Sequence, residues 1–94
     1  MQIVYKYALK NEDLNAVKVP FGAKVLKIAF QASPYGMGFK VWILHNHNAP
    51  AEDTKYFRIV VTGEIIKELV VEHHGSFEPN GILLHIFEVK PIGE

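Results

Sequence analysis

Arg58 is the only arginine in the sequence, and it stands in the run Tyr56-Phe57-Arg58-Ile59-Val60-Val61-Thr62-Gly63. A run rich in β-branched and aromatic residues that ends at a glycine reads as a strand entering a turn. Alternation along a strand puts Phe57, Ile59 and Val61 on one face and Tyr56, Arg58, Val60 and Thr62 on the other. The second face has the makings of a ligand site. A guanidinium grips a phosphate through two parallel hydrogen bonds. A tyrosine ring stacks on a purine. Thr62 and the Gly63 N–H add donors at the turn. Two further aromatics belong with them: Trp42, which shares a strand face with Lys40, and Tyr35, in the glycine-flanked loop Ser33-Pro34-Tyr35-Gly36-Met37-Gly38. The expected ligand-binding set is Arg58, Trp42, Tyr56, Tyr35 and Thr62. The competing reading makes Trp42 a core residue and Arg58 a solvated strand residue.

The five histidines offer a second kind of chemistry. His45 and His47 share a face if their strand extends that far, and with Asp53 they supply metal-ligand atom types. Two ligands at this spacing are a weak signal, and loop-end histidines exposed to solvent are the expectation. His73 and His74 are adjacent and cannot both face one side of a strand. His85 sits between Leu84 and Ile86 and reads as a hydrogen-bonded core or interface residue. No metal or other cofactor is assigned.

Catalysis is not expected. Ser33 and Ser76 lie in no nucleophile elbow. There is no tandem His-x-Thr arrangement, no P-loop and no Gly-x-Gly-x-x-Gly. The chain offers no set of nucleophile, base and oxyanion donor. With no cysteine it has no thiolate nucleophile, disulfide framework or zinc–thiolate site.

Those residues need a scaffold, and punctuation by Pro, Gly and Asn supplies one. Short apolar runs cover 3–9, 14–19, 24–32, 39–45, 56–62, 69–77 and 82–89. In the first, Ile3, Tyr5, Tyr7 and Leu9 share a face. In the third, Leu26, Ile28 and Phe30 oppose Val25, Lys27, Ala29 and Gln31. In the fourth, Phe39, Val41, Ile43 and His45 oppose Lys40, Trp42 and Leu44. Pro20 ends the second run, and Glu78-Pro79-Asn80-Gly81 predicts a tight hairpin turn into Ile82. Residues 64–70 read either as a short helix capped by Thr62 or as a turn feeding the next strand. About seven strands joined by short turns predict an all-β fold, a compact antiparallel sandwich or small barrel in a single domain over 1–94.

Hydrophobic residues at 49% and charged residues at 21% suit a folded domain of 94 residues. The formal net charge is zero, whereas duplex-binding domains carry a basic excess, so no DNA or RNA duplex partner is expected. No apolar run approaches membrane-spanning length, and Met1 to Tyr7 lack a signal-peptide layout, so the expected location is cytoplasmic, away from membranes.

The ordered segments Tyr5-Lys6-Tyr7-Ala8-Leu9, Val19-Pro20-Phe21-Gly22-Ala23-Lys24-Val25-Leu26, Val41-Trp42-Ile43-Leu44, Ala49-Pro50, Phe57-Arg58-Ile59 with Thr62-Gly63, and Gly81-Ile82-Leu83-Leu84-His85-Ile86-Phe87-Glu88 resemble a family of small phage- and prophage-encoded β-rich proteins. That family usually carries Gly-Thr-Gly-His after the arginine strand, where this chain has Val61-Thr62-Gly63-Glu64. The chain is also similar to the anti-CBASS type-four sponges. That resemblance implies a homo-oligomer, a tetramer favoured, that sequesters a cyclic dinucleotide such as 3′,3′-cGAMP in an infected bacterial cell without cleaving it. The alternatives are an inhibitor that binds a host defence complex, in the manner of anti-CRISPR proteins, and a metal-dependent phosphodiesterase built on His45 and His47.

Overall fold

The computed structural model describes residues 1–33 and 36–92. Seven strands form in chain order: β1 (Gln2–Ala8), β2 (Leu14–Val19), β3 (Lys24–Ser33), β4 (Gly36–Asn46), β5 (Asp53–Val61), β6 (Leu69–Phe77) and β7 (Leu84–Lys90). They make two sheets, one of three strands in the order β1-β4-β3 and one of four in the order β2-β5-β7-β6, and every pairing is antiparallel. The sheets face each other as a sandwich and do not close into a barrel. None of the described residues is helical.

The core follows from alternation. Tyr7, Ile28, Phe39, Val41 and Ile43 point inward from the three-stranded sheet; Val17, Val19, Phe57, Ile59 and Ile86 point inward from the other. Phe57, Ile43, Ile86, Val19 and Val41 are fully buried. Burying such a side chain stabilises the fold by roughly 1.5–3 kcal/mol. Phe39 bridges the layers, with its ring edge-on to Phe30 at 5.0 Å and to Phe77 at 5.4 Å.

Three expectations are corrected. Leu26 does not share a face with Ile28: a bulge between Val25 and Lys27 makes Leu26 the extra residue, so Val25 packs on the core and Leu26 is exposed. The turn at Glu78–Gly81 is no tight hairpin, because β7 starts at Leu84 and Ile82 and Leu83 stay exposed outside the ladder. Of the two readings of 64–70, the helix is overturned, and sheet order supplies the reason. β5 and β6 both run antiparallel to β7, which lies between them, so β5 and β6 run parallel. Val61 and Phe77 both pair with Leu84, while Tyr56 and Val70 both pair with Val89. The link from β5 to β6 must therefore travel back along the sheet. A helix rising about 1.5 Å per residue is too short for that journey, whereas an extended chain gains about 3.4 Å per residue. Thr62 and Gly63 make the reversal, with Glu64 N–H donating to the Val61 carbonyl at 3.1 Å and Gly63 at φ 94, where a side chain would be strained.

Candidate functional site

Tyr56, Arg58 and Thr62 do share the outer face of the four-stranded sheet, as alternation requires. Arg58 lies between Leu14 of β2 and Phe87 of β7. Its guanidinium is already held. Arg58 Nε donates to Glu68 Oε1 at 3.0 Å, and a second guanidinium N–H donates to Glu68 Oε2. The side chains are only 17% and 11% exposed. Hydrogen bonding to Glu68 raises the Arg58 pKa further, against the opposing effect of burial, and the charges of Glu68, Asp13 and Glu64 add to the rise. The same bond holds the Glu68 carboxyl below its ordinary value, again against burial. Glu68 belongs to the returning crossover, so this pair pins that segment over the sheet. Val60 and Val89 are buried on this face at 3% and 2% exposure although they lie outside the sandwich core, as a covering crossover requires.

Beyond the crossover, toward the turn, polar side chains form a chain. Thr62 Oγ1 lies 2.8 Å from His85 Nε2, Ser76 Oγ 2.7 Å from His85 Nδ1, and His73 Nε2 3.2 Å from Ser76 Oγ. A neutral imidazole donates from one nitrogen and accepts at the other, so Thr62 and Ser76 take opposite roles toward His85. Thr62 is thus tied into the sheet. The sequence could not show this grouping, because it depends on Ser76 and His85 being direct cross-strand partners.

Trp42 stands elsewhere, on the outer face of the three-stranded sheet. Its cross-strand partners are Lys6 and Lys27. Lys27 Nζ lies 5.9 Å from the Trp42 ring centroid, within cation–π range. Register puts Lys24 and Lys40 on the same face, paired with Leu44 and Ala29. No aspartate or glutamate occurs in β1, β3 or β4. None of these four lysines enters an ion pair among the described residues. All the acidic residues therefore fall on the other sheet, the loops and the tail, and the zero net charge conceals a segregated molecule.

The five expected ligand residues do not converge. Tyr56, Arg58 and Thr62 lie on one outside surface of the sandwich and Trp42 on the opposite one; Tyr35 lies outside the described residues. Nor do they line the cleft of about 420 Å³ at one end of the sandwich, which has an apolar floor of Leu9, Phe30, Phe39, Ile59 and Leu84. Its rim holds Glu12, Asp13 and Glu64 against Lys10, a poor balance for a phosphate. Buried Asn15 shapes that rim: its Oδ1 accepts from the Lys10 N–H at 2.7 Å and its Nδ2 donates to the Lys10 and Glu12 carbonyls, each at 3.1 Å. Tyr56 borders a second cleft of about 420 Å³ with Phe21, Lys55 and Lys90.

His45 and His47 separate. The expectation that both are exposed fails for His45, which is 7% exposed, stacks on Tyr5 at 5.1 Å and lies 3.3 Å from the Tyr7 hydroxyl. Burial on the apolar face of β4 is the reason. His47 is exposed.

The fold and surface define an all-β, two-sheet sandwich with lysines around one tryptophan on an outer face. Residues 1–93 match a protein family described as Domain of unknown function (DUF7352), and the chain belongs to that family. No curated protein and no solved structure matches it.

Proposed function

We propose that the protein is a non-enzymatic binder of a phosphorylated nucleotide, and in particular a phage-encoded sponge that sequesters a cyclic dinucleotide such as 3′,3′-cGAMP in the cytoplasm of an infected bacterium. The observation that carries the binding reading is the carboxylate-free face on which Trp42 stands among Lys6, Lys24, Lys27 and Lys40. Base stacking on an aromatic ring contributes about 1–3 kcal/mol, and ammonium groups hold phosphates as point charges. The face is open, so a second copy of the chain closing over it would enclose more of the ligand, which fits a homo-oligomer. The specific ligand rests on the resemblance to the anti-CBASS type-four sponges.

Trp42 is the only tryptophan, so its fluorescence is a built-in probe. Titration with 3′,3′-cGAMP is expected to give saturable quenching, and heat denaturation is expected to release the nucleotide intact. Trp42→Ala removes this probe, so it is assayed by depletion of nucleotide from solution and is expected to weaken capture. Arg58→Ala decides between faces: capture lost there, with folding retained, moves the ligand to the crossover side, where it would displace Glu68. No depletion over a panel of cyclic di- and trinucleotides ends the sponge reading.

One observation favours a second reading, a protein-interaction inhibitor. β6 is an edge strand, and Leu69, Val70 and Val71 at its start are exposed at 61%, 44% and 47%. Exposed apolar edges accept a partner strand. Pull-down from host lysate with β6 intact and with Val71→Lys tests it; equal recovery removes the edge as an interface.

A further inference from the structure

On the core-facing side of the four-stranded sheet, near the beginning of β6, a third cluster stands apart from both outer faces. Glu72 of β6 is the direct cross-strand partner of Glu88 of β7. Two carboxylates directly opposite each other are destabilising, and here Lys55 and His74 both contact Glu88. Bulges between Val70 and Glu72 and between His73 and Gly75 reset the alternation of β6. They turn His74 toward Glu88, with its Nε2 3.1 Å from Glu88 Oε1, while His73 faces outward beside Phe87. Gly75 is part of this device: its φ is 141, and a Cβ there would approach the Phe77 ring to 2.9 Å.

We propose that Glu72, His74 and Glu88 form a divalent-cation site suited to zinc. One ligand atom from each lies within 4.8 Å of the others. A tetrahedral ion with bonds of about 2.0–2.1 Å separates its ligands by about 3.4 Å, so the His74–Glu88 edge is already set and Glu72 must close in by a side-chain rotation. The supporting contacts are those of a metal centre. Lys55 Nζ donates to Glu88 Oε2 at 3.1 Å, fixing that carboxylate so that Oε1 faces the imidazole. Ligating carboxylates are commonly held this way. The His74 side chain is only 9% exposed and its ring lies 6.0 Å from Phe57, which limits its rotation. Glu72 is exposed and leaves the fourth position open to water or an exogenous ligand. One imidazole with two carboxylates is a mixed nitrogen–oxygen set that favours zinc over manganese. The two carboxylates outnumber the single ammonium of Lys55, so the cluster retains negative charge that attracts a cation.

The experiment is calorimetric titration of the chelator-stripped full chain with zinc chloride at neutral pH, with melting temperature followed in parallel. One zinc per chain and a rise in melting temperature are expected, with manganese binding more weakly. Glu72→Gln, at an exposed position, should fold normally and bind zinc at least ~10-fold more weakly. His73→Ala and His85→Ala, on the opposite face, should bind as the unaltered chain does. Absence of stoichiometric zinc binding overturns the proposal and leaves the trio as an ion-pair network around Lys55. Unchanged binding in Glu72→Gln, or loss of binding in His73→Ala or His85→Ala, overturns it equally by placing the ion on the outer histidines.

Discussion

On the outside of the three-stranded sheet, four lysines surround Trp42 and no carboxylate shares their strands. On the outside of the four-stranded sheet, the single arginine is clasped by Glu68 and overlain by the crossover that carries it. The difference comes from strand order. Placing β7 between two parallel strands forces the chain to return across one face, and the returning segment brings a carboxylate to the arginine. The three-stranded sheet has no such return, so its ammonium groups remain in water. Cations of the same sign thus differ in setting: Arg58 pins the crossover through Glu68, and these four lysines enter no ion pair among the described residues. Residue type alone ranks them the other way, because arginine is the better phosphate ligand.

The largest expected effect breaks this contrast from the lysine side. Trp42→Ala should lower nucleotide affinity by about 1–3 kcal/mol, roughly 5- to 150-fold, by depletion assay, with the melting curve nearly unchanged. Next is Glu68→Gln. Removing one partner of a charge-assisted pair in a largely covered setting should cost about 2 kcal/mol of unfolding free energy, read by urea denaturation. Nucleotide capture should not change. A pH titration then sharpens the assignment. The folded-state pKa of Glu68 is lowered, so its contribution is present above the ordinary carboxylate value of 4.5 and is lost as pH falls through the folded value. The acid-induced loss of stability should therefore be shallower in Glu68→Gln than in the unaltered chain.

Seven strands were legible because each apolar run alternates and is bounded by turn residues; Pro20 and Gly63 both fall at strand ends. Interior faces of β1, β4 and β5 were legible for the same reason. Pairing was not. Nothing local in Thr62–Glu68 states that this segment runs back over β7; that follows from which strands neighbour which. Bulges were equally hidden, and each resets the alternation: Leu26 moved outward, and Glu72 came to the face opposite Val70. The candidate site suffered most, because a site is a statement about convergence. Tyr56, Arg58 and Thr62 were correctly placed on one face by alternation, but Trp42 could be assigned to the opposite surface only once the sheets were known. The signal for the lysine face was present as an absence of Asp and Glu from three runs, masked by a net charge summed over the whole chain.

The smallest expected effect tests whether the lysines are uncommitted. Lys27 lies over Trp42 at 5.9 Å from the ring centroid. Lys27→Met keeps most of the aliphatic stem and removes the ammonium, so packing against the indole is largely preserved. An exposed cation–π contact contributes about 0.5–1 kcal/mol. Nucleotide affinity should fall a few-fold, and stability should change by less than about 1 kcal/mol. If Lys27→Met instead destabilises the fold as much as Glu68→Gln does, the ammonium is structural after all. The two outer faces would then differ in shape and not in the availability of their charge, and Trp42 would lose its standing as the centre of a ligand site.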